Sequence, residues 1–354
     1  MSKYEFNEYI IAPGETILEL LEVNCMSQLD LAIKLGMSKK TINEIIQGKA
    51  AITPLTALKL EYVFNISSSF WNNLESNYRD ALIRKKDMDS IIEDTKYLDS
   101  IPYLEMSKRN WDFIEKTRDP IERVINLRKF FSVSSLSFNT FLKQNVAFRK
   151  SDNKNFSKEA LCCWLRYGEI QTIKETCPKF NVEILKNNVI KIRELACNSF
   201  ISQYDVVKEL LKECGICLVY EALLPNTNVN GVTYKISCDR AIIMISDKGK
   251  KDDILWFTLF HEIAHLIKHS KKGFFIDFEN SEMNGIEKEA DEYAKNILIP
   301  NFEYCNFVKN GLFTSKSIKD FSKLNNVSPG IVVGRLQKDG LIKWNQFNEL
   351  IIRI

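Results

Sequence analysis

Three histidines within nine residues constrain the fold of this chain more than any other feature. They are the only histidines among its 354 residues, and all three lie in the segment HEIAHLIKH, as His261, His265 and His269. The run 254–269 is mostly apolar and has the length of a helix, and residues four apart on a helix share one face. We therefore expect a helix that presents two imidazoles side by side.

The spacing of His261, Glu262 and His265 is the H-E-x-x-H arrangement. Two imidazoles one turn apart can bind one Zn²⁺, and the glutamate between them can act as a general base towards water. A third ligand is required, and its spacing distinguishes the classes of site. The metzincin spacing needs glycine at 268 and histidine at 271, but this chain has Lys268 and Lys271, which excludes that class.

The third ligand is expected from the downstream pattern E-x-x-A-D, in which Glu287 and Asp291 lie one turn apart. Glu287 would complete a His₂Glu site, and Asp291 would hydrogen-bond a ligating histidine. Glu289 lacks the one-turn relation to Asp291 and is the weaker choice. His269 lies two turns after His261, and we assign it to the surroundings of the metal, with a purely structural role as the alternative. Zn²⁺ suits this ligand set best, with Mn²⁺ or Fe²⁺ as alternatives.

A second motif occupies residues 27–49, where SQLDLAIKLGMSKKTINEIIQGK predicts two short helices joined by a tight turn. The first helix begins at Ser27, Gly36 supplies the turn, and Ser38 caps the second helix. The side chains expected to face the core are Leu29, Ala32 and Ile33 of the first helix and Ile42, Ile45 and Ile46 of the second. This pattern is typical of a helix-turn-helix.

The second helix of this motif is expected to meet DNA, because recognition helices contact base edges with their N-terminal residues. Residues 34–49 contain four lysines and one glutamate, although the net charge of the whole chain is only +3. Lysines would bind phosphates while neutral polar side chains read bases. The candidate DNA contacts are Gln28, Ser38, Lys39, Lys40, Thr41, Asn43, Gln47 and Lys49. The alternative is a helical protein-interaction module with a solvated lysine face.

The chain as a whole predicts a multidomain protein that is mainly α-helical with a small β-sheet. Hydrophobic residues make up 45% and charged residues 27%, which excludes a disordered chain, and no apolar stretch is long enough to span a membrane. We expect a cytoplasmic protein without a membrane partner. The expected divisions are an all-α helix-turn-helix domain at 1–82, a helical linker and middle region at 83–192, an α+β domain at 193–300 and a helical tail at 301–354.

Short β-rich runs separated by turn residues predict the sheet, at 217–221, 231–236 and 240–246. We hypothesise that the last of these, RAIIMIS, is an exposed edge that receives an extended peptide by β-addition. Cys214 and Cys217 form a C-x-x-C just before the sheet, but the second pair that a zinc site needs is missing. We interpret it as a helix end running through Gly215 into a strand.

Both motifs lie in stretches that resemble known families. Residues 12–78, from APGETILELLEV through the helix-turn-helix and GKAAITP to FWNNLESNY, resemble the HigA-type antitoxins of the Cro/C1 (XRE) family, which implies a dimeric, operator-binding fold. The region 193–300, with ELLKECGICLVYEALLP, NGVTY, RAIIMIS, FTLFHEIAHLIKH and EKEADEYAKNILIP, resembles the ImmA/IrrE metallopeptidases. That resemblance implies a gluzincin-like zinc fold, with metal on His261, His265 and Glu287 and with Glu262 as catalytic base. Ala264 and Asp291 stand where glycine and asparagine are more frequent in that family.

Together the two resemblances predict a DNA-binding transcriptional regulator that carries an intracellular zinc endopeptidase. Members of the peptidase family cleave DNA-binding repressors, so the expected substrate is a protein, either a transcription factor, a toxin partner or the chain's own linker. The activity is expected to depend on a signal, and a homodimer is expected from the DNA-binding family. Two alternatives stay open: a non-proteolytic HigA-like antitoxin or repressor whose metal domain is a sensor, and a toxin–antitoxin scaffold whose peptidase fold is a docking platform.

Overall fold

The structure, a computed structural model, describes residues 11–137, 156–237, 239–268, 274–278 and 285–354. It confirms a mainly helical protein with a small β-sheet. The described residues form two compact units, one of residues 11–96 with Asp119–Ile125 and one of Tyr97–Arg118 with the residues from 126 onward. Within these described ranges, no helix is both long and apolar enough to cross a bilayer.

The first unit is an all-helical domain with its own hydrophobic core. Its main helices are α1 (Pro13–Val23), α2 (Gln28–Leu35), α3 (Lys39–Ile46), α4 (Pro54–Phe64) and α5 (Ser68–Asp94). Ile42 and Ile45 of α3 are buried, as predicted, and Ile46 packs half-buried against the same core. Trp71 of α5 is fully buried in that core and contacts Phe64 at a ring-centroid distance of 6.2 Å.

Helices α2 and α3 form the predicted helix-turn-helix. Ser27 caps α2 through a capping box with Asp30, which satisfies two backbone N–H groups reciprocally. Gly36 ends α2 in the left-handed conformation, with φ of 63°, which glycine adopts without steric cost. The Ser38 side chain then accepts a 3.0 Å hydrogen bond from the Thr41 N–H and caps α3. The start, turn and second cap of the motif are therefore as the sequence indicated.

The core-facing side of α2 differs from the prediction. Ala32 is buried, as predicted, but Leu29 and Ile33 are 51% and 71% exposed, whereas Leu31 and Leu35 are buried. The predictions for Leu29 and Ile33 were wrong because apolar residues at five of the eight positions of α2 fit two helical stripes. Packing against α3 and α4 selects the stripe through residues 31, 32 and 35.

The remaining elements begin with α6 (Tyr103–Lys108), α7 (Pro120–Phe131), α8 (Lys158–Ile173), α9 (Val182–Glu194) and α10 (Phe200–Lys212). Three strands follow, β1 (Ile216–Tyr220), β2 (Val229–Ser237) and β3 (Arg240–Ile245). The chain then forms α11 (Asp252–Lys268), β4 (Phe274–Phe278), α12 (Gly285–Leu298), α13 (Asn301–Lys309), α14 (Ser315–Leu324) and α15 (Pro329–Lys338). Short 3₁₀ turns lie at Thr95–Ser100, Leu195–Cys197 and Asn348–Leu350.

The sheet of the second unit has the strand order β1-β3-β2-β4. Strand β3 pairs in parallel with β1 on one side and antiparallel with β2 on the other. The hypothesis that 240–246 is an exposed edge was therefore wrong. The buried side chains of residues 241–245 give the physical reason, because a continuous apolar strand is typical of the middle of a sheet that is covered on both faces.

Helix α11 runs through the middle of the second unit. Leu259, Phe260, Ile263 and Leu266 are buried, and Trp256 beside them is fully buried. Asp252 fixes the start of the helix, because its Oδ1 accepts hydrogen bonds from the Phe200 N–H (2.7 Å) and the Ser199 hydroxyl (3.0 Å) at the start of α10. The C-terminal helices complete the same core with Ile318, Val332, Val333 and Leu336.

Candidate metal centre

Helix α11 carries two imidazoles into the interior of the second unit. His261 is 3% exposed and His265 is 1% exposed, and their ring centroids are 4.8 Å apart. The helix is apolar around most of its circumference because it is covered on several sides by helices and by the sheet. Polar rings at such a depth require polar partners, since an unpaired buried polar group is costly.

Helix α12 packs alongside α11 and supplies carboxylates to the two imidazoles. The Oε2 atom of Glu287 lies 3.2 Å from His261 Nε2 and 3.4 Å from His265 Nε2, and the two Nε2 atoms are 3.1 Å apart. Glu289, the weaker choice, is exposed on another face of α12. The structure thus brings together the three side chains that the sequence singled out as ligands.

These three separations fit a tetrahedral metal ion. With bonds of about 2.0–2.1 Å, ligand atoms at the corners of a tetrahedron are about 3.3–3.4 Å apart. The observed separations of 3.1, 3.2 and 3.4 Å lie at or slightly below that value. Two imidazole nitrogens and a carboxylate oxygen are also the ligand types that zinc prefers in sites with an open fourth position. His261, His265 and Glu287 are therefore suited to hold the metal.

Asp291 contacts the second ring nitrogen of His261, one of the candidate ligands. Its Oδ1 lies 2.9 Å from His261 Nδ1, so a proton on Nδ1 is donated to the carboxylate and the lone pair of Nε2 is left for a metal. Burial raises the pKa of the Glu287 carboxyl, but the hydrogen bonds with His261 and His265 outweigh burial and lower that pKa to about 2. Glu287 is consequently ionised at neutral pH, the form that binds a cation.

Glu262, the expected general base, is fully buried beneath strand β2. A Cβ atom added to Gly231 of β2 would lie 2.6 Å from Glu262 Oε1 and 2.6 Å from Thr258 Cγ2. The hydroxyl of Thr233, two residues along β2, also donates a hydrogen bond to the Glu262 carbonyl oxygen at 3.4 Å. The close approach of β2 to α11 at Gly231 therefore fixes the space in which the Glu262 carboxylate lies.

Gly231 and Thr258 were not recognised from the sequence, although Gly231 gave a signal. An isolated glycine inside a strand often marks a place where another part of the protein approaches the backbone closely. The pairing of β2 with β4 also shifts register between Val229 and Val232, next to this glycine. His269, the remaining candidate near the metal, lies outside the described residues.

The candidate DNA contacts lie on or beside α2 and α3 in the first unit. Lys39, Lys40, Asn43, Gln47 and Lys49 are exposed. Gln28 and Thr41 are half-buried, and the Ser38 and Thr41 hydroxyls hydrogen-bond each other at 2.8 Å while Ser38 caps α3. The Gln47 amide donates to Asn43 Oδ1 at 3.3 Å, so these two side chains form one polar pair on the exposed face of the helix.

Comparison with known families matches each motif to a family model. Residues 213–336 match the IrrE N-terminal-like domain of the M78 peptidases, and residues 26–71 match the helix-turn-helix family. A curated relative, the uncharacterized HTH-type transcriptional regulator YddM of Escherichia coli (strain K12), is 34% identical over 64 residues, which are 18% of this chain and 68% of that protein. The chain belongs to the XRE-type helix-turn-helix regulators and also carries, at residues 213–336, a metallopeptidase-type domain of the IrrE/ImmA family.

Two solved structures are similar to about a quarter of the chain. An addiction module antidote protein of a HigA family from Coxiella burnetii is 32% identical, with 25% of this chain and 96% of that chain covered and a TM-score of 0.23. PA4674 from Pseudomonas aeruginosa, solved in complex with its operator DNA, is 32% identical, with 23% and 88% covered and a TM-score of 0.22.

Proposed function

We propose that this regulator is an intracellular zinc endopeptidase that cleaves a protein substrate, a transcription factor or a partner protein, and that its helix-turn-helix binds operator DNA. The observation that carries the proposal is the convergence of His261, His265 and Glu287 on one point, with Glu262 buried next to them in the chain. A purely structural site would need the ligands but would not need a general base beside them. The match of residues 213–336 to a peptidase family model supports the same proposal.

In the proposed reaction, the residues of α11 and α12 have different roles. His261, His265 and Glu287 hold a divalent metal, which when bound supplies a Lewis acid that polarises a peptide carbonyl and makes water more acidic. Glu262 accepts the proton of the attacking water and passes it to the leaving amine. Asp291 keeps His261 in the tautomer that leaves Nε2 unprotonated.

The proposed DNA contacts rest on the exposed face of α3. The helix presents Lys39, Lys40 and Asn43 to solvent, and the nearest ion pair, between Lys40 and Glu44, is exposed and 3.9 Å long. An exposed pair of that kind contributes little to stability, so the lysine is available for a phosphate. A homodimer on the operator, a location inside the cell and domain limits at residues 82, 192 and 300 remain part of the proposal.

The metal assignment is tested with two single variants of the full chain, Glu287→Ala and Glu289→Ala, followed by elemental analysis of the purified proteins. We expect Glu287→Ala to lose the metal, because it removes one of three ligands. Glu289→Ala removes an exposed carboxylate of the same helix and is expected to keep the metal. Loss of metal from Glu289→Ala, or full retention by Glu287→Ala, would contradict the assignment.

A further inference from the structure

Two thiols that are distant in the sequence lie next to each other at the edge of the sheet. Cys217 is buried on β1, and Cys177 is half-buried in the segment between α8 and α9, 40 residues earlier. Their Sγ atoms are 3.4 Å apart. A disulfide has an S–S distance of about 2.05 Å, so an approach of about 1.4 Å would join them.

The partner of Cys217 is not the cysteine that the sequence pattern offered. Cys214 lies before the strand. Its thiol donates a hydrogen bond to the Leu210 carbonyl oxygen at 3.3 Å and accepts one from the Asn188 side-chain amide at 3.6 Å. Those contacts hold Cys214 against α9 and α10. The C-x-x-C of residues 214–217 is therefore divided between two environments, and Cys217 faces Cys177 instead.

The charges around the pair favour disulfide formation between the two thiols over binding of a metal ion. Glu175 is the third ionisable group of this cluster, but its carboxylate already forms an ion pair with the Lys208 ammonium group. A cation held by Glu175 and the two thiols would have to compete with that ammonium group. Two cysteines and one carboxylate also leave a structural zinc site short of a fourth ligand.

The two thiols differ in access, which sets the order of events. Burial raises the pKa of the Cys217 thiol well above its usual value, and the hydrogen bond with Cys177 raises it further. Cys217 therefore remains a protonated thiol at neutral pH. Cys177 is the more accessible of the two, and an accessible thiol is the one that a small oxidant reaches first.

We propose that Cys177 and Cys217 form a reversible redox pair that closes to a disulfide when a hydroperoxide is present. The Cys177 sulfur takes one oxygen from the peroxide and becomes a sulfenic acid, and the peroxide leaves as water or an alcohol. The Cys217 sulfur then attacks the Cys177 sulfur, the S–O bond breaks, and the hydroxyl leaves with the Cys217 proton as a second water. A dithiol reductant returns both thiols by exchange.

Closure would tie the α8–α9 segment to the sheet. Strand β1 is held along its length by its parallel pairing with β3, so the segment that carries Cys177 is the part that moves. This segment already rests on the β2–β3 turn, because the Phe180 N–H donates to the Asp239 carbonyl oxygen at 2.8 Å. The new bond closes a chain loop that contains α9 and α10, which restricts the unfolded state. We expect oxidation to raise Tm by about 5–10 °C.

The pair is tested on the full-length protein by treatment with hydrogen peroxide, alkylation of the remaining thiols and peptide mapping without reduction. We expect a linked peptide pair that contains Cys177 and Cys217, is two hydrogen atoms lighter than the reduced peptides and disappears after dithiothreitol. Cys214→Ser should retain the link and the rise in Tm. Cys217→Ser should accumulate a sulfenic acid on Cys177 that dimedone traps, which distinguishes a missing partner from a misfolded protein.

Three results would overturn this proposal. One is a Cys214–Cys217 link in place of the Cys177–Cys217 link. Another is Cys177 that stays reduced at a peroxide dose that oxidises the exposed Cys25 and Cys305. The third is a second equivalent of metal in the isolated protein that Cys177→Ser removes, which would assign the cluster to metal binding.

Discussion

Gly231→Ala tests how tightly strand β2 confines the proposed base. Gly231 does not have a positive φ, so alanine is compatible with its backbone and the effect of the change is steric. The new Cβ atom would lie 2.6 Å from Glu262 Oε1, which is 0.8 Å short of the 3.4 Å at which ordinary contact begins. Glu262 is fully buried and packed against β2, so either the carboxylate or the strand must shift by nearly 1 Å.

Two magnitudes follow from that shift. Overpacking a well-filled interior costs about 1–3 kcal/mol of unfolding free energy. A displacement of about 1 Å in a catalytic group costs about 100-fold in rate, because the reacting atoms no longer align. We therefore expect Gly231→Ala to fold with moderately reduced stability, to keep its metal and to lose about 99% of its proteolytic rate.

The assay combines urea unfolding, elemental analysis and the rate at which new protein N-termini appear. Gly168→Ala is the matched control, because its Cβ would lie 2.2 Å from Met244 Sδ in the packing of α8 on β3, away from Glu262. The control should lose comparable stability or less, because the methionine end can rotate, and should keep its activity. If Gly231→Ala cleaves as fast as wild type, the confinement of Glu262 by β2 is not required, and that part of the argument fails.

Two further predictions concern pH and DNA. Burial raises the pKa of Asp253 from 3.8 to about 6, so the folded chain binds this proton more tightly than the unfolded chain and loses stability as the pH rises from about 4 to about 6. The full loss of unfolding free energy is up to about 3 kcal/mol. Asp253→Asn should remove this part of the pH dependence, measured by urea unfolding at pH 5 and pH 7. An equal change of unfolding free energy between the two pH values in both proteins would contradict the prediction. Lys40→Ala combined with Asn43→Ala should weaken binding at least about tenfold to a duplex selected from random DNA by the wild type. Metal content should not change, and unaltered gel shifts would refute the assignment of α3 as the recognition helix.

The order of elements and the grouping of His261, His265 and Glu287 could be predicted because short-range patterns determine most of them. The capping residues Ser27 and Ser38 and the turn at Gly36 act within a few residues of the chain, and the structure has them where the sequence indicated. The one-turn spacings of His261 with His265 and of Glu287 with Asp291 act in the same way. Only the pairing of the two helices that carry them had to come from the tertiary fold.

The features that were missed or wrong depend on contacts between distant parts of the chain. The orientation of α2 is decided by its neighbours, so the exposure of Leu29 and Ile33 is not encoded in eight residues alone. The interior position of β3 depends on a parallel pairing with β1 that skips β2. The approach of Gly231 to Glu262 and of Cys177 to Cys217 likewise joins segments 31 and 40 residues apart.

The central claim, that Glu262 is the base of an active peptidase, is tested most directly by mapping new protein N-termini in cells. The comparison is between wild type and Glu262→Gln, with and without DNA damage or oxidative stress, and Glu289→Gln serves as a control on an exposed glutamate. We predict new termini that appear with wild type and the control but not with Glu262→Gln, although all three proteins bind metal and DNA. Matching profiles from wild type and Glu262→Gln under every condition, with DNA binding intact, would contradict the account and indicate a metal-bearing repressor or antitoxin.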